Sequence, residues 1–272
     1  MDIQVSCDEL KRFLKKCYTG GLIKDLVVQA SEEKGLVARF STKERSFYAE
    51  VYLKGVKVTE EGVIKIPHVK KLMEVISRSD SNMIRIKSND DVFVVTDGSA
   101  VGKMKADMLQ VDAASTIDSY REIQNLGKMF DTEKLIHIIP GIEYKNGVKI
   151  PCGMISEVLK DAKAFGYEVY NFVATKNKEN KYQLKCIIVN EHTTEKHQRV
   201  IAETDFIGDI SGVNNIKVGK GFREIMDGVL GEEKETIDIY FDELSLLITD
   251  NSTFYFNLHT LDDNNMIITK EK

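Results

Sequence analysis

Cationic side chains recur on the polar faces of four predicted helices, a pattern whose chemistry is the attraction of anions such as phosphate groups. The clearest case is the segment Ser6–Thr19, in which apolar residues recur at the spacing of one helical face. The cations of this segment all fall on the opposite face. They are Lys11, Arg12, Lys15 and Lys16. One such helix is better explained as an ordinary solvated surface, so the functional interpretation depends on repetition.

Three further segments combine an apolar helical face with cations in the same way. The second helix is predicted to open at Pro67 and the third at Pro151, because proline suits the first turn of a helix. The fourth helix is predicted over Val218–Gly231. The candidate phosphate-contacting residues are Lys70, Lys71 and Arg78 in the second helix, Lys160 and Lys163 in the third, and Lys217, Lys220 and Arg223 in or beside the fourth. The third helix is the weakest of these, because Glu157 and Asp161 offset its two lysines.

Apart from these cations, no group of residues in the sequence resembles a catalytic or metal-binding site. No Ser/His/Asp order, glycine-rich phosphate loop or paired-carboxylate arrangement stands out. His192 and His197 lie in a predicted polar hairpin without a third ligand nearby, and the four cysteines are scattered with no CxxC spacing. We therefore predict no catalytic residues, no metal site and no cofactor. An enzyme that uses an acidic outer surface is the alternative from another functional class.

Composition limits the kind of surface on which these cations act. The chain has 272 residues, 42% of them hydrophobic and 30% charged, which is typical of a globular protein with one large domain or two smaller ones. Its formal net charge of −5 excludes a uniformly basic DNA-coating protein, so cations that meet nucleic acid must be segregated on one surface. No apolar run approaches the length of a membrane span, and the opening residues MDIQVS lack the layout of a signal peptide. We therefore expect an intracellular protein without membrane contact.

Each predicted helix is followed by short strands rich in Val, Ile, Tyr and Phe. In the first half these strands are predicted at Leu26–Ala30, Leu36–Phe40, Ser46–Leu53, Val63–Ile66, Met83–Lys87, Val92–Thr96 and Val101–Ala106. In the second half they are predicted at Tyr167–Thr175, Tyr182–Asn190, Gln198–Thr204, Thr236–Phe241, Leu244–Thr249 and Thr253–Leu258. The predicted fold class is therefore α+β, with small antiparallel sheets.

Similar segments recur along the chain, and this repeat is the strongest pattern in the sequence. GVIKIPHVKKLMEVI at 62–76 resembles GVKIPCGMISEVLKD at 147–161, and TDGS at 96–99 resembles TDNS at 249–252. The first match is offset by half a domain and the second by a whole one. We therefore predict four copies of one helix-plus-sheet module, arranged as two domains of two modules each. The predicted boundaries are 1–107 for the first domain, 108–146 for a connecting linker, 147–263 for the second domain and 264–272 for a flexible tail.

With this repeat, the sequence resembles the two-domain DNA sliding clamps, the class that includes the eukaryotic and archaeal proliferating-cell-nuclear-antigen proteins and the T4-type phage clamps. The resemblance extends from Asp2 to about Asp263 and depends on the order and spacing of elements more than on one motif. KIPCGMISEVLKDAK at 149–163 resembles the segment that opens the family's second domain. STFYFNLHTLDD at 252–263 resembles the family's final strand and acidic tail.

The resemblance implies a non-catalytic processivity factor of DNA replication that encircles duplex DNA. Subunits of this family close head to tail into a ring whose helices line the hole and whose sheets form the outer wall. Two domains per chain imply a homotrimer. The implied partners are double-stranded DNA, bound without sequence preference, a DNA polymerase and a clamp loader. Because backbone phosphates require only cations, the predicted basic faces agree with binding that depends strongly on salt.

The resemblance also implies a pocket, beneath the interdomain linker, for a short peptide motif of partner proteins. The family's pocket combines an apolar residue in a loop of the first domain, apolar linker residues and residues near the last strand. The matching residues are Phe40 in the first domain, Leu126 and Met129 in the linker, and Phe256, Leu258 and Leu261 near the last strand. Further linker candidates are Phe130, Ile136 and Ile138. For Phe40 and Phe256, a place in the sheet core is an equal alternative.

Two other functions within the same fold stay open. The chain can be a clamp-like protein of DNA repair or viral transcription, or one subunit of a heteromeric clamp. Either would share the basic lining, so subunit composition is the property that separates them. The implied location is the cytoplasm of a prokaryotic host, or the nucleus or viral replication site of another host.

Overall fold

A computed structural model describes residues 1–42, 46–66, 68–79, 81–89, 92–96, 101–105, 144–189, 196–230, 235–262 and 266. The chain divides into two units. The first comprises Met1–Asn125 with the short segment Ser252–Phe254, and the second comprises Leu126–Asn251 with Tyr255–Lys272. The predicted linker, 108–146, lies outside the described residues except at its end. There Tyr144 is buried and a strand begins at Asn146.

Four α-helices, eighteen strands and two 3-10 turns, Thr19–Gly21 and Ile210–Gly212, make up the described secondary structure. The helices are α1 (Cys7–Tyr18), α2 (Val69–Ser77), α3 (Cys152–Phe165) and α4 (Gly221–Val229). The strands of the first half are β1 (Asp2–Ser6), β2 (Leu26–Ser31), β3 (Gly35–Ser41), β4 (Phe47–Leu53), β5 (Lys57–Glu60), β6 (Gly62–Ile66), β7 (Met83–Asn89), β8 (Val92–Thr96) and β9 (Val101–Lys105). Those of the second half are β10 (Asn146–Pro151), β11 (Val169–Lys176), β12 (Tyr182–Val189), β13 (Lys196–Ala202), β14 (Phe206–Ile207), β15 (Ile216–Val218), β16 (Thr236–Phe241), β17 (Ser245–Thr249) and β18 (Phe254–His259).

The two units share one antiparallel topology. In the first unit the strand orders are β5-β1-β7-β8-β9 and β4-β3-β2-β6. In the second they are β14-β10-β16-β17-β18 and β13-β12-β11-β15. Each strand that precedes a helix pairs with the strand that follows the other helix of its unit. The predicted α+β class, built from repeated helix-plus-sheet modules, is therefore confirmed.

Each helix buries one face because its apolar residues recur at helical spacing. The buried residues are Cys7, Leu10, Phe13, Leu14 and Cys17 in α1, Val69, Leu72 and Ile76 in α2, Cys152, Ile155, Val158, Leu159 and Ala162 in α3, and Phe222, Ile225, Met226 and Val229 in α4. The predicted apolar faces therefore point inward, with Met73 of α2 only partly buried. The helices that the structure describes are all too short or too polar to cross a lipid bilayer.

Short strands shift some of the predicted element boundaries. The sequence does not predict β5, β10, β14 or β15. Of these, β5, β14 and β15 have only two to four residues, which are too few to show a period. Because Ile216–Val218 pairs with β11, the fourth helix begins at Gly221 instead of the predicted Val218. The predicted start of the second helix, Pro67, lies outside the described residues, and α2 begins at Val69.

An ion-pair cluster holds the start of β1. The Asp2 carboxylate accepts hydrogen bonds from Arg85 Nε at 2.8 Å and Nη2 at 2.6 Å, and Lys87 Nζ lies 3.2 Å from Asp2 Oδ2. Arg85 above all, with Lys87, holds the pKa of Asp2 at about 2, below its ordinary value of 3.8, although burial opposes this shift. The ionised carboxylate therefore stabilises the fold above about pH 4, and this stabilisation is lost as the pH falls toward 2.

The variant Asp2→Asn is expected to lower the free energy of unfolding at pH 7 by about 1–2 kcal/mol. The effect is kept small because the Arg85 and Lys87 side chains are 50% and 54% exposed, so water screens the pair. Thermal melts of both proteins at neutral pH and near pH 2 measure it, and the difference should shrink at the lower pH. An equal difference at both pH values would mean that the loss comes from packing and not from charge.

Candidate nucleic-acid interface

The two helices of the first unit form one polar surface. α1 packs beside α2 and on β1 and β4, and the N–H of Val69 at the start of α2 donates to the Lys24 carbonyl at 2.8 Å. Because both helices bury their apolar sides, their polar sides face solvent together. We call this surface the α1–α2 face. Its exposed cations are Arg12, Lys15, Lys70, Lys71 and Arg78.

Two predicted cations of α1 have closer protein partners. The Lys11 ammonium lies 3.6 Å from Asp8 Oδ1, but the Asp8 side chain is 83% exposed, so this pair is weak and leaves Lys11 available to a stronger anion. Lys16 Nζ donates to Thr253 Oγ1 at 2.7 Å and lies 4.9 Å from the centre of the Phe254 ring. Both partners belong to the short segment counted with the first unit. Lys16 is therefore the α1 cation least suited to a phosphate contact.

In the second unit, the lysines of α3 lie near acidic residues that already have cationic partners. Lys160 Nζ lies 2.7 Å from Glu157 Oε1, and this lysine lowers the pKa of Glu157 below its ordinary value. Asp161 accepts a hydrogen bond from Arg199 Nε of β13 at 2.8 Å. Lys163 is exposed. The Lys160 and Glu157 side chains are 65% and 46% exposed, so water screens this pair, and the formal charges of α3 matter more than the single contact.

The cations predicted for the fourth helix occupy different settings. Lys217 lies in β15, opposite Asn171, and its carbonyl accepts a hydrogen bond from the Leu261 N–H at 2.8 Å. Lys220 is the exposed residue just before α4. Within the helix, Arg223 Nε lies 4.0 Å from Asp227 Oδ2. These residues therefore do not share one helical face as the cations of α1 do.

Charge divides unevenly between the helices of the two units. Within its bounds, α1 has four cations and two acids, and α2 has two cations and one acid, which gives formal charges of +2 and +1. α3 has two of each and is formally neutral, and α4 has one cation against two acids, a charge of −1. The positive potential that the sequence predicts for all four helices is thus concentrated in the first unit.

Lys24 is an exposed cation that the sequence analysis does not identify. It lies in the turn after α1, and its carbonyl accepts the hydrogen bond from Val69. The exposed His68 precedes α2, and its N–H donates to Asp25 Oδ1 at 3.0 Å. Helical periodicity does not reveal Lys24 because it belongs to neither helix, and only folding brings it beside α2. Lys24 and His68 extend the α1–α2 face at this end.

Most of the described residues of the predicted peptide pocket lie in hydrophobic cores. The exposed fraction is 6% for Phe40, 0% for Phe256 and 2% for Leu258. The Phe40 ring packs edge-on against Phe47, with centroids 6.3 Å apart. This burial supports the sheet-core alternative for Phe40 and Phe256. Leu261 is partly exposed, and the linker residues Leu126, Met129, Phe130, Ile136 and Ile138 lie outside the described residues.

A role for His192 and His197 as metal ligands receives no support from the residues that the structure describes. In the described ranges, His, Cys, Asp and Glu side chains do not gather in groups of three or more that could hold a metal ion. His197 lies 3.1 Å from Asp161 Oδ2 and stacks on Phe165 with ring centroids 5.0 Å apart. His192 lies outside the described residues.

Comparison with solved structures places the fold among the sliding clamps, although no family model and no curated protein matches the sequence. The PCNA2–PCNA3 complex of Sulfolobus tokodaii matches with a TM-score of 0.64 and 11% identity, over 96% of this chain and 99% of that one. The PCNA of A. fulgidus, bound to the C-terminal region of FEN-1, matches with a TM-score of 0.66 and 13% identity, over 96% and 98%. The DNA polymerase sliding clamp of Bacillus subtilis matches at 0.61 and 13%, over 97% of this chain and 65% of that one.

These similarities establish the sliding-clamp fold and confirm the fold expected from the resemblance. The matches to the two PCNA structures cover nearly the whole of both chains, so the likeness includes both units and all four modules. At 11–13% identity the shared property is the backbone arrangement. How the fold is used must therefore be argued from the side chains of this sequence.

Proposed function

We propose that this protein is a DNA sliding clamp, a non-catalytic processivity factor that encircles duplex DNA and tethers a DNA polymerase and other DNA-processing proteins. The fold supports this proposal, and the observation that carries it is the exposed cationic α1–α2 face. Cations that meet only phosphates bind DNA without reading its sequence, which a protein that moves along DNA requires. The whole chain has a formal net charge of −5, so its surface outside this face is acidic on balance, which limits DNA binding elsewhere.

Within this proposal, the first unit supplies most of the attraction to DNA. The formal charges of its helices are +2 and +1, whereas those of the second unit are 0 and −1. The exposed Lys163 and Lys220 then make the smaller contribution of the second unit. An uneven lining is sufficient because topological linkage retains the DNA even where direct affinity is low.

A closed ring requires several copies, and we propose a homotrimer in which a head-to-tail contact repeats until the ring closes. A heteromeric ring is the second candidate, favoured by the likeness to a complex of two clamp chains, PCNA2 with PCNA3. Light scattering separates the two. A homotrimer has three times the chain mass of 30.8 kDa, about 92 kDa, whereas a heteromeric subunit stays below this mass until its partner chains are added.

Retention on circular DNA tests the proposed function directly. The protein is incubated with nicked circular duplex and the host's polymerase and loader, and bound protein is separated by gel filtration. A ring stays on the circle at a salt concentration that removes simple electrostatic binding, and it is lost when the circle is cut. Equal retention on circular and linear DNA would contradict encirclement.

Partner proteins are proposed to dock through a short peptide segment, as the C-terminal region of FEN-1 is bound to the PCNA of A. fulgidus. The residues proposed for this surface are Leu261, which is partly exposed, with Leu126 and Met129. Phe40, Phe256 and Leu258 are buried in hydrophobic cores and are not proposed to contact the peptide.

A further inference from the structure

Lysines flank the turn between β11 and β12, outside the four helices. The segment 176–185 contains four lysines and a single acid, Glu179. The lysines are Lys176, Lys178, Lys181 and Lys185, of which the first three are exposed. We call this segment the lysine hairpin. Lys181 Nζ lies 2.9 Å from Glu179 Oε2, but both side chains are at least 70% exposed, so water screens this pair.

The turn of the lysine hairpin is held by its own hydrogen bonds. Asn177 Oδ1 accepts from the N–H groups of Glu179 and Lys181, each at 3.0 Å, and the Asn177 N–H donates to the Lys181 carbonyl at 2.8 Å. Lys176 Nζ lies 5.2 Å from the centre of the Tyr182 ring on the facing strand. The ammonium groups therefore extend from a fixed backbone, which reduces the entropy lost when a polyanion binds.

The equivalent hairpin of the first unit carries the opposite charge. The turn between β2 and β3 contains Glu32 and Glu33 with one lysine, Lys34, and Glu61 Oε1 accepts a hydrogen bond from the Glu32 N–H at 2.8 Å. Because the two units share one topology, the fold itself requires neither charge at this turn. The fold itself therefore does not account for the lysines at this turn.

The chemistry of the lysine hairpin favours nucleic-acid phosphates over an acidic protein. Protein interfaces depend on apolar anchors that are buried at their centre. The residues 176–181 are all polar, and beside them Gln183 Nε2 donates to Thr175 Oγ1 at 3.1 Å, so the exposed tip offers no such anchor. Phosphates need only cations, and their binding gains from the release of counterions.

We propose that the lysine hairpin is a second contact for nucleic-acid phosphates, separate from the α1–α2 face. This inference rests on the proposed binding of DNA. The hairpin supplies the second unit with the cations that its helices, at 0 and −1, lack. Its three exposed lysines can meet about three phosphates.

The experiment measures fluorescence anisotropy with a labelled linear duplex of about 30 base pairs over a series of salt concentrations. The variant Lys176→Gln/Lys178→Gln/Lys181→Gln is expected to bind about tenfold more weakly at low salt, with the slope of log K against log salt reduced by roughly 2–3. The matched control removes the same charge from exposed lysines of the first unit. It is Lys34→Gln/Lys54→Gln/Lys57→Gln, and its affinity should stay within about twofold of the original.

Equal affinity of the hairpin and control variants, with the original protein still binding, overturns this inference and leaves the proposed function standing. Failure of the original protein to bind the duplex also overturns this inference, whereas the proposed function is judged separately by retention on circular DNA, which does not require high direct affinity. The single variant Lys178→Glu, at the exposed turn, guards against misfolding of the triple variant and should weaken binding more than Lys178→Gln does. Far-ultraviolet circular dichroism confirms that each variant is folded.

Discussion

Reversing the charge of the α1–α2 face is expected to prevent the protein from loading onto circular DNA. The variant Arg12→Glu/Lys15→Glu/Lys71→Glu changes the formal charge by two at each of three exposed positions and so replaces attraction by repulsion. Each lost phosphate contact also loses its counterion release, so the amount of protein that loads onto the circles should fall by on the order of 100-fold, because loading depends on direct contact with the DNA. The measurement is the amount of protein that elutes with nicked circles in gel filtration, with linearised DNA as the baseline.

Two controls distinguish the face from net charge and from the other helices. Lys34→Glu/Lys54→Glu/Lys57→Glu makes the same charge change on exposed residues outside the helices and should retain most of the binding. In a neutralising comparison, Lys15→Gln/Lys71→Gln should reduce loading far more than Lys160→Gln/Lys163→Gln, because α1 and α2 are formally positive whereas α3 is neutral. Equal losses in these last two variants would contradict the dominant role of the first unit.

The repeat could be predicted from the sequence because similar residues occupy corresponding structural positions in different modules. GVIKI at 62–66 is β6, which leads into α2, and GVKIP at 147–151 lies in β10, which leads into α3. The TDGS and TDNS matches begin at Thr96 and Thr249, the last residues of β8 and β17, which hold equivalent places in their sheets. Strand-to-helix junctions and strand ends require particular backbone shapes, so their residues resemble one another even where the cores have diverged.

The helix faces were predictable for a different reason. An apolar face on a helix is stable only when it is buried away from water. Leu10, Phe13 and Leu14 of α1 therefore point inward, as predicted. The opposite face is then exposed, and its charges follow from the sequence alone. β14 and β15 were missed because strands of two and three residues are defined by their partners across the sheet and not by a period of their own.

Charge partners were the least predictable part of the candidate site. Nothing near Lys16 in the sequence indicates that its ammonium meets Thr253, more than two hundred residues away. The same holds for Asp161, which pairs with Arg199 of β13. A cation's availability to phosphate depends on such long-range contacts, whereas its helical face depends only on local spacing. The sequence therefore identifies the candidate cations, and the structure shows which of them are available to bind phosphate.

Truncation of Phe222 is expected to cause the largest loss of stability in the second unit. Its side chain is fully buried, and its ring centroid lies 4.9 Å from that of Tyr170 and 5.5 Å from that of Phe172 on β11. Phe172 in turn contacts Phe241 of β16 at 5.5 Å. Phe222→Ala loses the transfer free energy of the ring and leaves a cavity between α4 and its sheet. The cost should be about 3–5 kcal/mol, seen as a lower urea midpoint.

A matched phenylalanine in the same unit shows whether burial is the cause. Phe165, at the end of α3, is 51% exposed and stacks on Tyr167 with centroids 5.6 Å apart. Because water already reaches this ring, Phe165→Ala should cost less than about 1 kcal/mol. Phe222→Leu keeps most of the apolar volume and should fall between the two variants, near 1.5 kcal/mol. If Phe165→Ala proved as costly as Phe222→Ala, docking of α4 through the Phe222 ring would not be what holds this module together.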